Sequence, residues 1–459
     1  MKNSNTHSLW NNTWLSGAAG SIAVFVLAYW YSSTNALRDG VTFFGFEVAS
    51  NRTEACLLAL LFCSGVMVLV EFFRQNRSSK LFNVNPNQGI NFYADCLVFY
   101  IQTLILLFAI KLFYQSAGEY GFRNRSAFYQ PWFHALELFT HWYYILGLPY
   151  IIITRKLKYD EEADKQRYSL LVGKIAMLAL SKIPFLKDKK PEFGADDKNI
   201  FLAMLMQLFF LPLVIVFFYR AFPQLVDTLS YITQSMSRSF TDKGFVHSAF
   251  NRDLAQIGIS FLFTAHLVVL FTSYAFCSRW INNQKQKVDN TLLSWVVCLV
   301  VFPPFTHTLI TSWVDAMIGP VMQGPPQVIT EFGSQTLVTV LIAAMLAFYL
   351  AFLVSTITLG TSYANLCYRK LITNGVYRWV RHPVYASKLL ALSCFVLPIA
   401  ILNAFDGNWE TASSLTGGLS IGYVLFALRA YREEKWLCQH CDYQAYMKRV
   451  RYRFIPGVF

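Results

Sequence analysis

Gly375-Val-Tyr-Arg-Trp-Val-Arg-His-Pro-Val-Tyr385 lies between two long apolar segments. A stretch so placed belongs at a membrane surface. Within eleven residues it carries two arginines, one histidine, two tyrosines and one tryptophan. Pro383 suits the first turn of a helix, where its missing N–H costs nothing. The next apolar span then starts at that proline, with Arg381 and His382 at its mouth. Cationic groups and free N–H groups there suit an anionic group on a ligand. A plainer role is also open, that of a basic loop anchored by interfacial aromatics.

The flanking segments set the class. The chain is 55% hydrophobic, 17% aromatic and 14% charged, with mean hydropathy +0.38. A soluble domain carries roughly 25% charged residues. The long apolar runs predict an all-α, polytopic membrane protein. Ten spans are expected: Trp14–Tyr31, Glu54–Phe73, Phe92–Phe113, Trp132–Ile153, Ile200–Phe222, Gln256–Ser278, Thr291–Phe305, Gln335–Thr358, Pro383–Asn403 and Leu415–Arg429. The seventh is short and holds Pro303-Pro304, so it is expected to be broken or extended past the prolines. The first follows an Asn-rich start without a small-residue cleavage site, which argues against a cleavable signal peptide.

Basic residues give the orientation. Of 39 lysines and arginines, 28 fall in segments on the side of residues 430–459, 7 on the other side and 4 inside spans. That split predicts both termini in the cytoplasm and an even number of spans. Basic loops facing an anionic leaflet account for the net charge of +13, so no nucleic-acid partner is expected. The expected location is a bacterial inner membrane or another membrane that faces the cytoplasm.

Organisation follows the charge. Residues 1–153 form four spans, and 154–199 the longest cytoplasmic loop. Residues 200–358 hold the middle spans, and 359–459 a C-terminal hairpin and tail. Within the long loop, Tyr168–Ile183 has an apolar bias that suits an interfacial amphipathic helix. Segments 223–255, 306–334 and 404–414 are expected as loops on the outer side.

Metal sites are not expected. Six of the nine cysteines lie in spans, where cysteine acts as a small hydrophobe. Cys438-Gln-His-Cys441 is a lone pair, and zinc needs about two more ligands. His134, Glu137 and His141 share one face of the fourth span. One helix alone does not build a metal site, so a hydrogen-bonded patch or a position near the outer interface is the better reading.

The tenth span runs into Arg429-Ala-Tyr-Arg-Glu-Glu-Lys-Trp-Leu437. Arg429 and Glu433 are four apart and stack on one helix face. A guanidinium and a carboxylate facing the His/Arg/Tyr cluster across a hairpin suit a zwitterionic ligand. A solvated i,i+4 salt bridge is the simpler alternative.

Taken together, Leu371–Tyr385, then Glu433-Glu434, Tyr443-Gln-Ala-Tyr446 and Arg453-Phe-Ile-Pro456 resemble the isoprenylcysteine carboxyl methyltransferase and phospholipid methyltransferase superfamily. The resemblance covers about residues 360–459. It implies an integral membrane methyltransferase that uses S-adenosylmethionine, with a lipophilic substrate arriving from the bilayer. By motif position it implies cofactor contacts from Leu371, Ile372, Tyr377, His382, Pro383, Val384, Tyr385 and Glu433. It implies substrate contacts from Arg429 and Arg381, with Arg429 at the reactive end as the catalytic residue.

Departures are Arg369-Lys370 before the motif, Lys388 after Tyr385, and the extra spans. The tail Arg449–Phe459 and Arg429–Glu434 are also similar to membrane sterol reductases, which use NADPH. The paired-tryptophan and Asn-Tyr-Leu-Gly-Asp segments of those proteins are absent. A non-enzymatic transporter or lipid-binding protein is a third class, suggested by the broken seventh span.

Overall fold

Long apolar runs in a membrane must satisfy their backbone groups internally, so they fold as helices. The computed structural model describes residues 13–76, 82–85, 89–117, 128–161, 164, 168–182, 191–239, 247–284, 287–303, 305 and 334–457. The principal helices are α1 (Trp14–Thr34), α2 (Arg52–Asn76), α3 (Ile90–Ser116), α4 (Gln130–Leu157), α5 (Tyr168–Leu180) and α6 (Ala195–Ser239). They continue with α7 (His247–Ala275), α8 (Leu292–Leu299), α9 (Gln335–Leu359), α10 (Pro383–Phe405), α11 (Trp409–Leu437) and α12 (Cys441–Arg449). Among the described residues, nine helices are long and apolar enough to cross a membrane: all of these except α5, α8 and α12.

The seventh span is broken, and two segments depart from expectation for local reasons. Among the described residues the seventh span yields α8, eight residues ending before Pro303-Pro304, a break of the kind its prolines led one to expect. At 1.5 Å per residue it rises about 12 Å, well short of a bilayer. The fifth helix does not stop at Phe222 but runs to Ser239 with Pro212 and Pro223 inside it. Leu225, Val226 and Leu229 continue its buried face, and that packing outweighs the bond each proline removes. Segment 223–255 is therefore mostly helix. Segment 306–333 lies outside the described residues, whereas 404–414 is mostly helix, with a tight turn at 406–408 and Asn408 accepting from the Thr411 N–H at the start of α11.

Hydrogen bonds order the helix ends. Asn251 near the start of α7 donates to the Gln335 carbonyl at the start of α9. Ser273 at the other end of α7 donates to the Tyr363 carbonyl just past α9. The two helices thus run parallel, so between 276 and 334 the chain returns to the end where α9 begins. Thr13 donates to the Thr358 carbonyl at 2.6 Å. Thr13 and Arg453 therefore lie at one end of the bundle, the end that carries the motif.

One apolar cluster unites α1, α2, α6 and α7. A second unites α7, α9, α10 and α11. The helix Tyr168–Leu180 is present within the long loop. Two-stranded pairs complete the fold, β1 (Val41–Phe43) with β2 (Phe46–Ala49) and β3 (Lys287–Val288) with β4 (Cys367–Tyr368).

Candidate functional site at the mouth of the C-terminal hairpin

The motif enters on a glycine. Gly375 has φ +56°, and a Cβ there would lie 3.0 Å from Thr358 Cγ2. A left-handed backbone costs an L-residue roughly 1–2 kcal/mol. Gly375→Ala is therefore expected to lower stability by about that amount. A melting temperature equal to the parent's would refute the assignment.

A short 3-10 turn over Gly375–Arg378 follows, and Pro383 then occupies the first turn of α10. His382, just before it, is buried. Its Nε2 lies 3.1 Å from Glu434 Oε1 and its Nδ1 3.9 Å from Glu433 Oε2. Its ring stacks on Tyr385 at 5.4 Å and an interplanar angle of 6°.

Glu434 is the knot of the site. It accepts from Arg381 Nε at 2.7 Å, from His382, and from Arg453 Nη2 at 2.7 Å. The tail is laced to the motif by backbone as well. Arg381 N–H donates to the Tyr452 carbonyl and His382 N–H to the Arg453 carbonyl, while Arg381 Nη1 reaches the carbonyls of Val450 and Arg451. Tyr446 donates to the Tyr377 carbonyl at 2.6 Å. Arg381 thus spends its donors on Glu434 and the tail. Hydrogen bonding to Glu434 also raises the Arg453 guanidinium above its ordinary range, so it stays charged.

Glu433, one residue earlier, is different. Its side chain is 41% exposed and accepts from the Tyr385 hydroxyl at 2.8 Å. Arg429 is buried one turn deeper. It donates to Asn365 Oδ1 and lies over the Tyr385 ring at 5.2 Å. Lys388 stands one turn below Tyr385, over Phe426 at 5.4 Å.

Arg381, His382, Tyr385, Arg429 and Glu433 open on one cleft with about 150 Å³ of internal space. Of the residues singled out in the sequence, Leu371, Ile372, Tyr377, Arg381, His382, Val384, Tyr385, Arg429 and Glu433 line it; Pro383 does not. Several lining residues had no sequence signal, among them Asp289, Ser294, Tyr363 and Asn365. Burial pushes the Tyr363 phenol up to about 12 and raises that of Tyr377, so both stay neutral at ordinary pH. Arg369 is also integral, donating to the Ser273 carbonyl at 2.8 Å and tying the end of α7 to the loop before the motif.

The other candidates come apart. His134 lies 3.5 Å from Glu54 at the far end of the bundle, while Glu137 and His141 are exposed. Cys438 contacts Met447. Among the described residues no group of three His, Cys, Asp or Glu side chains is placed to hold a metal ion. No protein-family model, no curated protein and no solved structure matches the chain.

Proposed function

We propose that the chain is an integral membrane methyltransferase that takes its methyl group from S-adenosylmethionine. The acceptor is a lipophilic molecule reaching the cleft from the bilayer. One observation carries the reading: residues 371–385 and 429–433, separated by a helical hairpin, converge on a single cleft at one end of the bundle. The donor set fits the cofactor's parts. The exposed Glu433 carboxylate suits an amino group or ribose hydroxyls, and the ring of Tyr377 suits a sulfonium. When bound, S-adenosylmethionine supplies an electrophilic methyl carbon.

The chain's residues position and dehydrate. Leu371, Ile372, Tyr377, His382, Val384, Tyr385 and Glu433 hold the cofactor at the cleft, and Pro383 sets the helix that presents them. Arg429, deeper on α11, has a single hydrogen bond among the described residues, to Asn365. Its remaining N–H groups are available to the acceptor's polar end. Arg381 supports the mouth through Glu434 and the tail. Displacement at a methyl group needs alignment of acceptor and leaving group rather than a nucleophilic side chain.

The test is transfer of labelled methyl from S-adenosylmethionine into a membrane lipid extract. Arg429→Lys is expected to bind cofactor normally and to lose turnover by at least about tenfold, or roughly 1.4 kcal/mol of transition-state stabilisation. Parallel loss of cofactor affinity would move Arg429 into the cofactor site instead.

The same reading puts the cleft, Thr13 and Arg453 in the cytoplasm, supported by the 28-to-7 division of basic residues. A cysteine introduced as Glu410→Cys is then expected to react, above the parent's background, with an impermeant thiol reagent from outside only. Labelling from the cytoplasmic side alone would reverse the orientation.

A further inference from the structure

A second cavity, of about 1080 Å³ with its mouth included, lies among α3, α4, α5, α6 and the segment after α7. The methyltransferase reading makes no use of it. Arg155, in the last turn of α4, and Arg279 both line it. Their side chains are 12% and 7% exposed.

Asp164 is shared between the two arginines. It lies 3.7 Å from Arg155 Nε and bonds to Arg279 Nη2. One carboxylate against two guanidiniums leaves a net positive charge. Arg155 Nε, though buried, makes no hydrogen bond. The hydroxyl of Ser169, a residue only 2% exposed that also lines the cavity, makes none either. Buried polar atoms are costly to leave unmatched.

Ser169 is the second residue of α5, a thirteen-residue helix with no acidic residue in its first turn. Its N-terminus presents the positive end of the helix dipole to the same cavity. Two guanidiniums, a free hydroxyl and a helix N-terminus around one space match a tetrahedral oxyanion. Phe99, Leu106 and Ile151 give the wall an apolar stretch that leads away from the charged end along α3 and α4, beside polar side chains that include Thr103, Asn199 and Gln284.

We propose that this cavity binds an acidic phospholipid. The phosphate sits among Arg155, Arg279 and Ser169, and the acyl chains lie along Phe99 and Leu106. Basic pockets between helices at the cytoplasmic end of a bundle suit such headgroups. The phosphate chemistry is shared with free phosphate; the apolar wall points to the lipid.

Native mass spectrometry of the full-length protein in neutral detergent tests the proposal. The probes are dioctanoyl phosphatidylglycerol, dioctanoyl phosphatidylcholine and inorganic phosphate. The glycerol lipid is expected to bind at least about tenfold more tightly than the choline lipid, and inorganic phosphate is expected neither to bind nor to compete. Arg155→Gln is expected to abolish the preference. Ser169→Ala, a smaller change that spares the ion pairs, is expected to weaken it. Equal affinity for the two lipids would overturn the proposal. Phosphate binding as tightly as the glycerol lipid would do so too, by making this a site for a soluble anion. A folded Ser169→Ala protein that keeps the full preference would likewise overturn it.

Discussion

Replacing Glu434 by alanine is expected to lower stability by about 3–5 kcal/mol, the usual cost of removing one partner from a buried charged network. The side chain is 4% exposed and accepts from Arg381, His382 and Arg453 at 2.7–3.1 Å. Without it, four nitrogen donors on three side chains crowd a hole with no acceptor, and the tail loses its anchor to the motif. Glu434→Gln keeps the volume and one acceptor, so it should fall between parent and alanine. Thermal unfolding in detergent measures the series. An alanine variant that melts with the parent would mean that backbone bonds alone hold the tail.

The neighbouring carboxylate is expected to behave in the opposite way. Glu433→Ala should leave the fold intact and weaken S-adenosylmethionine by about tenfold to a hundredfold, the range for one or two lost charge-assisted hydrogen bonds. Glu433 is half in solvent and has one protein hydrogen bond to lose, from Tyr385. Calorimetric titration alongside a thermal melt separates the two effects. Normal affinity in the alanine variant would take Glu433 out of the cofactor site.

That division between adjacent glutamates was not legible in the sequence. Periodicity places Glu433 on the face of Arg429, and that relation holds. It is silent on Glu434, whose partners arrive from 52 residues upstream and 19 downstream. The apolar lengths of the spans were legible because a bilayer demands them. Helix ends were less so: Pro223 reads as a stop, yet the buried face carried by Leu225 and Leu229 continues through it. The short α8 shows the converse case. The parallel run of α7 and α9 shows that the chain returns between them, although α8 is too short to cross. Asn365 and Tyr363 joined the cleft through a loop that carries no periodicity at all. Arg155 and Arg279, 124 positions apart, could be recognised as neighbours only in three dimensions.

The central claim concerns the cofactor, and melting of the purified protein with each nucleotide ligand tests it most directly. A ligand that binds only the folded state stabilises it, by about 2.7 kcal/mol at a hundred times its dissociation constant. S-adenosylmethionine is predicted to raise the melting temperature of the parent more than that of Glu433→Ala, while NADPH leaves both unchanged. A shift with NADPH and none with S-adenosylmethionine would contradict the account and favour the reductase resemblance; no shift with either would remove the cofactor site altogether.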